Sequence, residues 1–276
     1  MRILILGSLT IDIIGGEERP GGPALFCGMA CEALGIEYYC VGCRPRDYRW
    51  EIPEGDFVVG EGPIFEHRYV GDRRFSRLIK LPEKIGVAPP INKFDLAIVS
   101  PVFGEYETHV IKRILELGVP TAIDIQGFVR DIDYKGRIIS RYVPDELYDV
   151  LEDAVLVHMS DEEMPMVRKL PSGATLSITY GSRGSSIIRG DESHFVPAFQ
   201  ISGDPTGAGD FFTCVLAVKI LELGDPIEAA VYATVATSLF IESKIGRRLG
   251  EIRLISDFSE DLRMRMHIIR MRMERK

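Results

Sequence analysis

The densest chemistry in this sequence lies in one run, Gly203-Asp204-Pro205-Thr206-Gly207-Ala208-Gly209-Asp210-Phe211-Phe212. It is a polar, glycine-rich turn that opens directly into a long apolar stretch of helical character. At such a junction backbone N–H groups and the positive end of a helix converge, which suits an anion such as phosphate. The small glycines let a phosphate approach the backbone closely. The carboxylate that closes the turn, Asp210, sits within reach of whatever accepts that phosphate, as a general base must. The same residues also allow a structural reading in which Thr206 caps the helix and Asp210 complements its dipole. No Walker A lysine pattern occurs, which excludes a P-loop enzyme. Gly7-Ser8-Leu9-Thr10 is not the G-x-G-x-x-G turn of a nicotinamide-binding dehydrogenase.

An anion-binding helix start needs a scaffold, and the flanking pattern supplies one. Arg2 to Leu6 and Tyr38 to Val41 are apolar runs ending at Gly7 and Gly42, and they read as core strands. Between them, Pro23 to Leu34 follows Gly21-Gly22 and stops at Gly35, the signature of a helix with proline in its first turn. The opening is therefore strand, loop, helix, strand. Phe65, His67, Tyr69 and then Phe75, Arg77, Ile79 alternate around Gly71-Asp72 and predict a hairpin. Strand-like runs at Leu96 to Val99, Thr121 to Ile125, Val155 to Val157 and Thr175 to Thr179 then alternate with helix-like runs. These span Thr108 to Leu117, Asp145 to Leu151 and Asp161 to Leu170, and the alternation implies a parallel sheet covered by helices. Two short strands (Ser185 to Arg189, His194 to Phe199) and two nearly apolar helices (Gly207 to Leu223, Pro226 to Phe240) follow. The tail from Ser256 to Lys276 places Phe258, Leu262, Met266, Ile269 and Met273 on one helical face, as a helix docked on the domain would.

The 276 residues fit one α/β domain. A formal net charge of −8 argues against a nucleic-acid binder, because phosphates call for a basic surface. No apolar run approaches a membrane span, and Met1 to Leu6 lacks the pattern of a signal peptide, so a cytoplasmic setting is expected. One Asn and two Gln beside 33 basic and 41 acidic residues is the bias of a heat-loving source. Cys27, Cys31, Cys40, Cys43 and Cys214 read as buried free thiols, with a four-thiolate zinc site from the first four as the alternative. The five His residues share no metal-ligand spacing.

Nearly the whole chain, in order, resembles the ribokinase family, also called the phosphofructokinase B family. The run at 203–212 is similar to its Asp-Thr-x-Gly-Ala-Gly-Asp signature, with Pro205 where Thr is common. The resemblance implies a ribokinase-like α/β fold: a doubly wound, mainly parallel sheet with helices on both faces and a small β lid from about 57–80. It implies an ATP-dependent kinase in which Asp210 is catalytic base and the amides of Gly207, Ala208 and Gly209 stabilise the moving phosphoryl group. Asp12, in Gly7-Ser8-Leu9-Thr10-Ile11-Asp12, and the turn Gly21-Gly22 match positions that bind the acceptor. Val157 to Glu163 resembles the family's Asn-x-x-Glu segment, which makes Glu163 an indirect organiser of Mg2+ and places Ser160 where Asn is usual. Thr179, Gly181 and Ser182 match the strand and turn that pack on the nucleotide, together with Thr206. Thr234, with a loop near Ile245-Gly246, matches the helix beside the adenine. The partners implied are a sugar or polyol and a nucleoside triphosphate, with a possible homodimer through the lid.

Asp124-Ile125-Gln126 with Arg130 resembles a segment of the family's myo-inositol kinases, and Leu25-Phe26-Cys27-Gly28 lacks the Asn that many members carry after the di-glycine turn. A myo-inositol kinase with Gln126 reading a ring hydroxyl is therefore expected. The alternatives are a pentose, hexose or nucleoside kinase of the same family, or a catalytically silent nucleotide or sugar sensor.

Overall fold

The computed structural model of the chain describes residues 1–70, 73–86, 94–243 and 259–274. Gly71, Asp72, Ile245, Gly246 and Phe258, all named above, lie outside the described residues. The strands are β1 (Arg2–Leu6), β2 (Thr10–Ile14), β3 (Glu17–Gly21), β4 (Glu37–Pro45), β5 (Gly55–Gly60), β6 (Ile64–Val70), β7 (Arg73–Lys80), β8 (Leu96–Val99) and β9 (Thr121–Asp124). They continue with β10 (Arg130–Ile132), β11 (Ile138–Ser140), β12 (Leu156–Ser160), β13 (Thr175–Thr179), β14 (Gly184–Arg189) and β15 (Glu192–Pro197). The helices are α1 (Pro23–Leu34), α2 (Thr108–Glu116), α3 (Tyr148–Glu152), α4 (Ala208–Leu223), α5 (Pro226–Ser243) and α6 (Ser259–Glu274).

Nine strands form one sheet in the order β15-β14-β13-β12-β9-β8-β1-β4-β5. The pairs from β13 to β5 are parallel, and β14 and β15 add an antiparallel end. Period-2 alternation splits the core. Ile3, Ile5, Leu96 and Ile98 bury against α1, α4 and α5, while Leu4, Leu6, Ala97 and Val99 bury on the opposite face with α2 and α3. The chain leaves β1 in both directions, to β4 on one side and to β8 on the other, so the crevice beyond the carboxyl ends of β1 and β8 is a topological switch point.

Three expectations are corrected. The stretch after β1 is not a loop, because Ile11 and Ile13 alternate with Thr10 and Asp12 and Gly15-Gly16, both at positive φ, make a two-residue turn that pairs β2 with β3. This hairpin joins β6 and β7 in a separate four-stranded sheet, β3-β2-β6-β7. Residues 57–60, expected in the lid, belong instead to β5, which pairs in parallel with β4 at the edge of the main sheet. The helix expected over Asp161 to Leu170 is only a single tight turn, Met164–Met166. Pro165 and Pro171 remove backbone donors and disfavour α geometry in the residues before them.

The other elements fall where the pattern placed them. α1 starts on Gly22 and Pro23 and ends at Gly35 in the left-handed conformation. The tail forms α6, with Ile269 fully buried, Met266 and Met273 against the main core, and Arg265 and Arg270 paired with Glu242 and Glu228 of α5. All five cysteines are buried. They serve close packing: Cys31 Sγ and Cys214 Sγ lie 3.7 Å apart between α1 and α4. Burial, chiefly, pushes the Cys43 thiol up to about 12, so it stays protonated. Among the described residues no helix is long and apolar enough to cross a membrane.

Gly22 joins the small sheet to α1 with φ 94°, and the space a Cβ would need is taken by the Ser8 carbonyl oxygen. Gly22→Ala is expected to lower stability by about 1–3 kcal/mol. Urea denaturation should show this as a lower midpoint at unchanged slope, and an unchanged midpoint would contradict it.

Candidate active site

Asp210 stands in the first turn of α4, whose N-cap is Gly207 at φ 75°. The glycine is required twice over, by its positive φ and by the Phe26 ring, which fills the place of a Cβ. Thr206 is therefore not the cap. Its hydroxyl donates to Asp204 Oδ1 at 2.6 Å and its N–H to the same oxygen at 2.9 Å, which folds the approach to the helix into a tight turn. At Gly209 nothing lies within 4 Å of where a Cβ would project, so the space before the helix end is open there. The Ala208 N–H donates to the Pro205 carbonyl at 2.9 Å, leaving Gly207 and Gly209 as the more available amides of the three.

Two strand ends hold the Asp210 carboxylate. Ser100, next after β8, donates from Oγ to Asp210 Oδ1 at 3.2 Å, and Gln126, two residues after β9, donates from Nε2 to the same oxygen at 3.4 Å. Gln126 Oε1 accepts from Arg130 Nη2 at 2.6 Å, and Arg130 Nη1 donates to the Val102 carbonyl at 3.1 Å. Val102 is fixed in turn by Glu105, a fully buried carboxylate that accepts from the N–H groups of Val102 and Phe103 and from Ser8 Oγ at 2.8 Å. A continuous set of hydrogen bonds thus runs from the end of β1 to Asp210.

The remaining residues divide across the sheet. On the β1 side, Asp12 is a strand residue only 7% exposed, so it is not an exposed loop acid. Its Oδ1 accepts from Thr10 Oγ1 at 2.7 Å and lies 3.7 Å from His67 Nε2 of β6. Gly21 is packed against the Asp12 carboxylate and the Thr10 hydroxyl, so the di-glycine turn wraps that acid directly. Phe65 and Leu78 of the small sheet bury against Val102, which seats that sheet on the loop behind Gln126 and Arg130. On the other side, Ser160 and Thr179 end β12 and β13 in register. Glu163 folds back so that Oε2 accepts the Ser160 N–H at 2.8 Å. Gly181, at φ 60°, and Ser182 form the next turn, with Gln200 Nε2 donating to the Ser182 carbonyl. Thr234 is buried within α5. β12 and β8 are two strand spacings apart, roughly 10 Å, and Asp210 stands at the ends of β8 and β9, next to β12 on one side and β1 on the other along this line.

The electrostatics of this line are crowded with negative charge. Asp124, at the end of β9, is raised well above the usual carboxylate range by burial and then by repulsion from Glu163 and Asp210. The Gln126 N–H and the Arg130 charge oppose that rise. His158, opposite Asp124 on β12, offers no compensating charge, because burial lowers it to about 4. Among the described residues no three His, Cys, Asp or Glu side chains converge to hold a metal ion directly.

Sequence reading missed Ser100, Glu105, Thr10 and His67. Ser100 alone carried a signal, since it follows an apolar strand at the end where α/β sheets bind ligands.

The chain was compared with known proteins. The family model described as pfkB family carbohydrate kinase matches residues 154–249. The chain is similar to the inositol 3-kinase of Arabidopsis thaliana, 24% identical over 284 aligned residues that cover 96% of this chain and 80% of the relative. Two solved structures share the fold. A pyrophosphate-dependent kinase in the ribokinase family, complexed with a pyrophosphate analogue and myo-inositol, has a TM-score of 0.69 at 16% identity, covering 87% of this chain and 94% of the other. The ribokinase of Arabidopsis thaliana, complexed with ribose and ATP, has a TM-score of 0.66 at 14% identity, covering 96% and 98%.

A carboxyl raised by folding binds its proton more tightly in the folded than in the unfolded state, so stability falls as pH rises through that interval. Asp124→Asn keeps an oxygen to accept the Gln126 N–H and removes the titration. In urea unfolding from about pH 4 to about pH 8, the parent is expected to lose stability relative to Asp124→Asn. Parallel pH profiles for the two proteins would contradict the assignment.

Proposed function

We propose that this chain, a phosphotransferase acting on a sugar or polyol hydroxyl and similar to the pfkB family of carbohydrate kinases, transfers the γ-phosphoryl group of ATP to myo-inositol with Asp210 as catalytic base. The observation that carries this reading is the Asp210 carboxylate at the amino end of α4, beside an open Gly209 and two strand ends. In the step proposed, the acceptor oxygen forms its bond to the γ-phosphorus as the bond to the β,γ-bridging oxygen breaks. ADP leaves, and the hydroxyl proton passes to Asp210. The amides of Gly207 and Gly209, with Ala208 once its turn relaxes, face the charge on the moving group, where fixed dipoles act without reorganisation. Asp12 and the Gly21-Gly22 turn orient the acceptor, and the small sheet excludes water as a competing acceptor.

The donor lies toward β12 and β13, against Ser160, Thr179, Gly181, Ser182 and Thr206, with Thr234 toward the base. The excess of carboxylates at Asp124, Glu163 and Asp210 suits a cation. Mg2+, reached by Glu163 through water, would supply charge neutralisation on the polyphosphate. ATP is favoured by the likeness to a ribokinase complexed with it.

Myo-inositol is favoured by the likeness to an inositol 3-kinase and by the site itself. The first turns of α1 present Pro23, Ala24, Phe26 and Cys27, all buried, with the Cys27 thiol directed at the Asp210 carbonyl. That helix therefore offers the acceptor no polar side chain. Gln126, held between Arg130 and Asp210, would then read a ring hydroxyl beside the one that reacts.

Asp210→Asn is expected to reduce kcat roughly 10²- to 10⁴-fold, and near-parental turnover would remove the base assignment. With ATP and with pyrophosphate as donors, kcat/KM should be higher for myo-inositol than for ribose, fructose or adenosine, and Gln126→Ala should erode that preference. Equal activity on ribose or adenosine would eliminate myo-inositol while leaving the kinase assignment standing. Faster turnover with pyrophosphate would reassign the donor. Asp12→Ala should raise the acceptor KM with little effect on the donor KM, and a selective change for the donor would move Asp12 out of the acceptor site.

A further inference from the structure

We infer that Ser100 is a positioning residue for the catalytic base, its hydroxyl holding the Asp210 carboxylate in the orientation that receives the acceptor proton. This inference rests on Asp210 acting as base. Ser100 is fully buried and directly follows β8, and its own N–H is fixed by the Leu6 carbonyl at 2.9 Å. The hydroxyl is thus anchored to two adjacent interior strands, β1 and β8, while the carboxylate it meets belongs to α4.

The chemistry explains why such an anchor is needed. Asp210 is close enough to Asp124 for the two charges to repel, and like charges drive a carboxylate either to rotate away or to take up a proton. A hydroxyl donating to Oδ1 opposes both, because it fixes the torsion of the carboxyl group and favours its ionised form. Gln126 donates to the same oxygen from the neighbouring strand end, but at 3.4 Å and from a longer side chain whose other end is held by Arg130. Ser100, shorter and wholly buried, is the stiffer of the two supports. Because Ser100 is fully buried and meets Asp210 itself, its effect should fall on the chemical step and not on binding.

The test compares Ser100→Ala, Ser100→Cys and Ser100→Thr with the parent in steady-state kinetics, each alone and in the Asp210→Asn background. Ala and Cys, which lose the strong donor, are expected to lower kcat about 10- to 100-fold with acceptor and donor KM within about twofold. Thr, which keeps the hydroxyl, should recover most of the loss. In the Asp210→Asn background the same substitutions should change kcat by less than about twofold, since residues acting through one group are not additive. Parental kcat in both Ser100→Ala and Ser100→Cys, beside an impaired Asp210→Asn, would overturn this inference alone. So would a matching rise in KM, or a loss of equal size in both backgrounds. An Asp210→Asn enzyme with parental turnover would remove the base assignment itself, and the role of Ser100 with it.

Discussion

The placement of one carboxylate at the positive end of a buried helix, among other carboxylates, governs how the rest of this molecule is arranged. The α4 dipole favours negative charge at Asp210, and the same helix start, with clear space beside Gly209, favours an incoming phosphate. Repulsion between Asp124 and Asp210 opposes it, and Glu163 adds to the repulsion on Asp124. Such a balance holds only if each acid is tied in place. Here Ser100 and Gln126 tie Asp210, the Gln126 N–H ties Asp124, and the Ser160 N–H ties Glu163. A cation near this group relieves the repulsion, which fits a donor that arrives as a magnesium complex.

Packing then joins the two halves of the reaction. α1, which carries the di-glycine turn, lies directly on α4, with Phe26 under Gly207 and small residues, among them Cys27, Cys31 and Cys214, letting the helices approach. Phe211 stacks on Phe240 at 4.3 Å, and Phe26 meets Phe240 edge-on, so α1, α4 and α5 share one aromatic cluster. The small sheet is seated separately, through Phe65 and Leu78 on Val102, and Val102 is held by the buried Glu105.

The sequence made some parts of this arrangement plain and hid others for physical reasons. Parallel core strands and the helices α1, α4 and α5 follow from apolar runs bounded by glycine, which are local signals. The Gly203–Phe212 turn was legible because its residue types serve one chemistry in one order. The hairpin of β2 and β3 was hidden because Glu17, Glu18 and Arg19 carry no alternation, and its pairing with β6 spans some fifty residues. The helix expected after Asp161 failed at Pro165, whose lost donor outweighed the acidic start. Glu105 was hidden for a different reason. A single glutamate has no pattern, and its role exists only once the segments after β1 and β8 meet.

The central claim, that Asp210 handles the acceptor proton rather than the donor, is tested most directly by the dissociation constant of Mg·ATP for Asp210→Asn, measured by calorimetry against the parent. The mutation removes a negative charge beside the polyphosphate, so binding equal to the parent or tighter is expected from an enzyme whose turnover has collapsed. Binding weakened about tenfold or more would mean that Asp210 holds the donor, and would contradict the account.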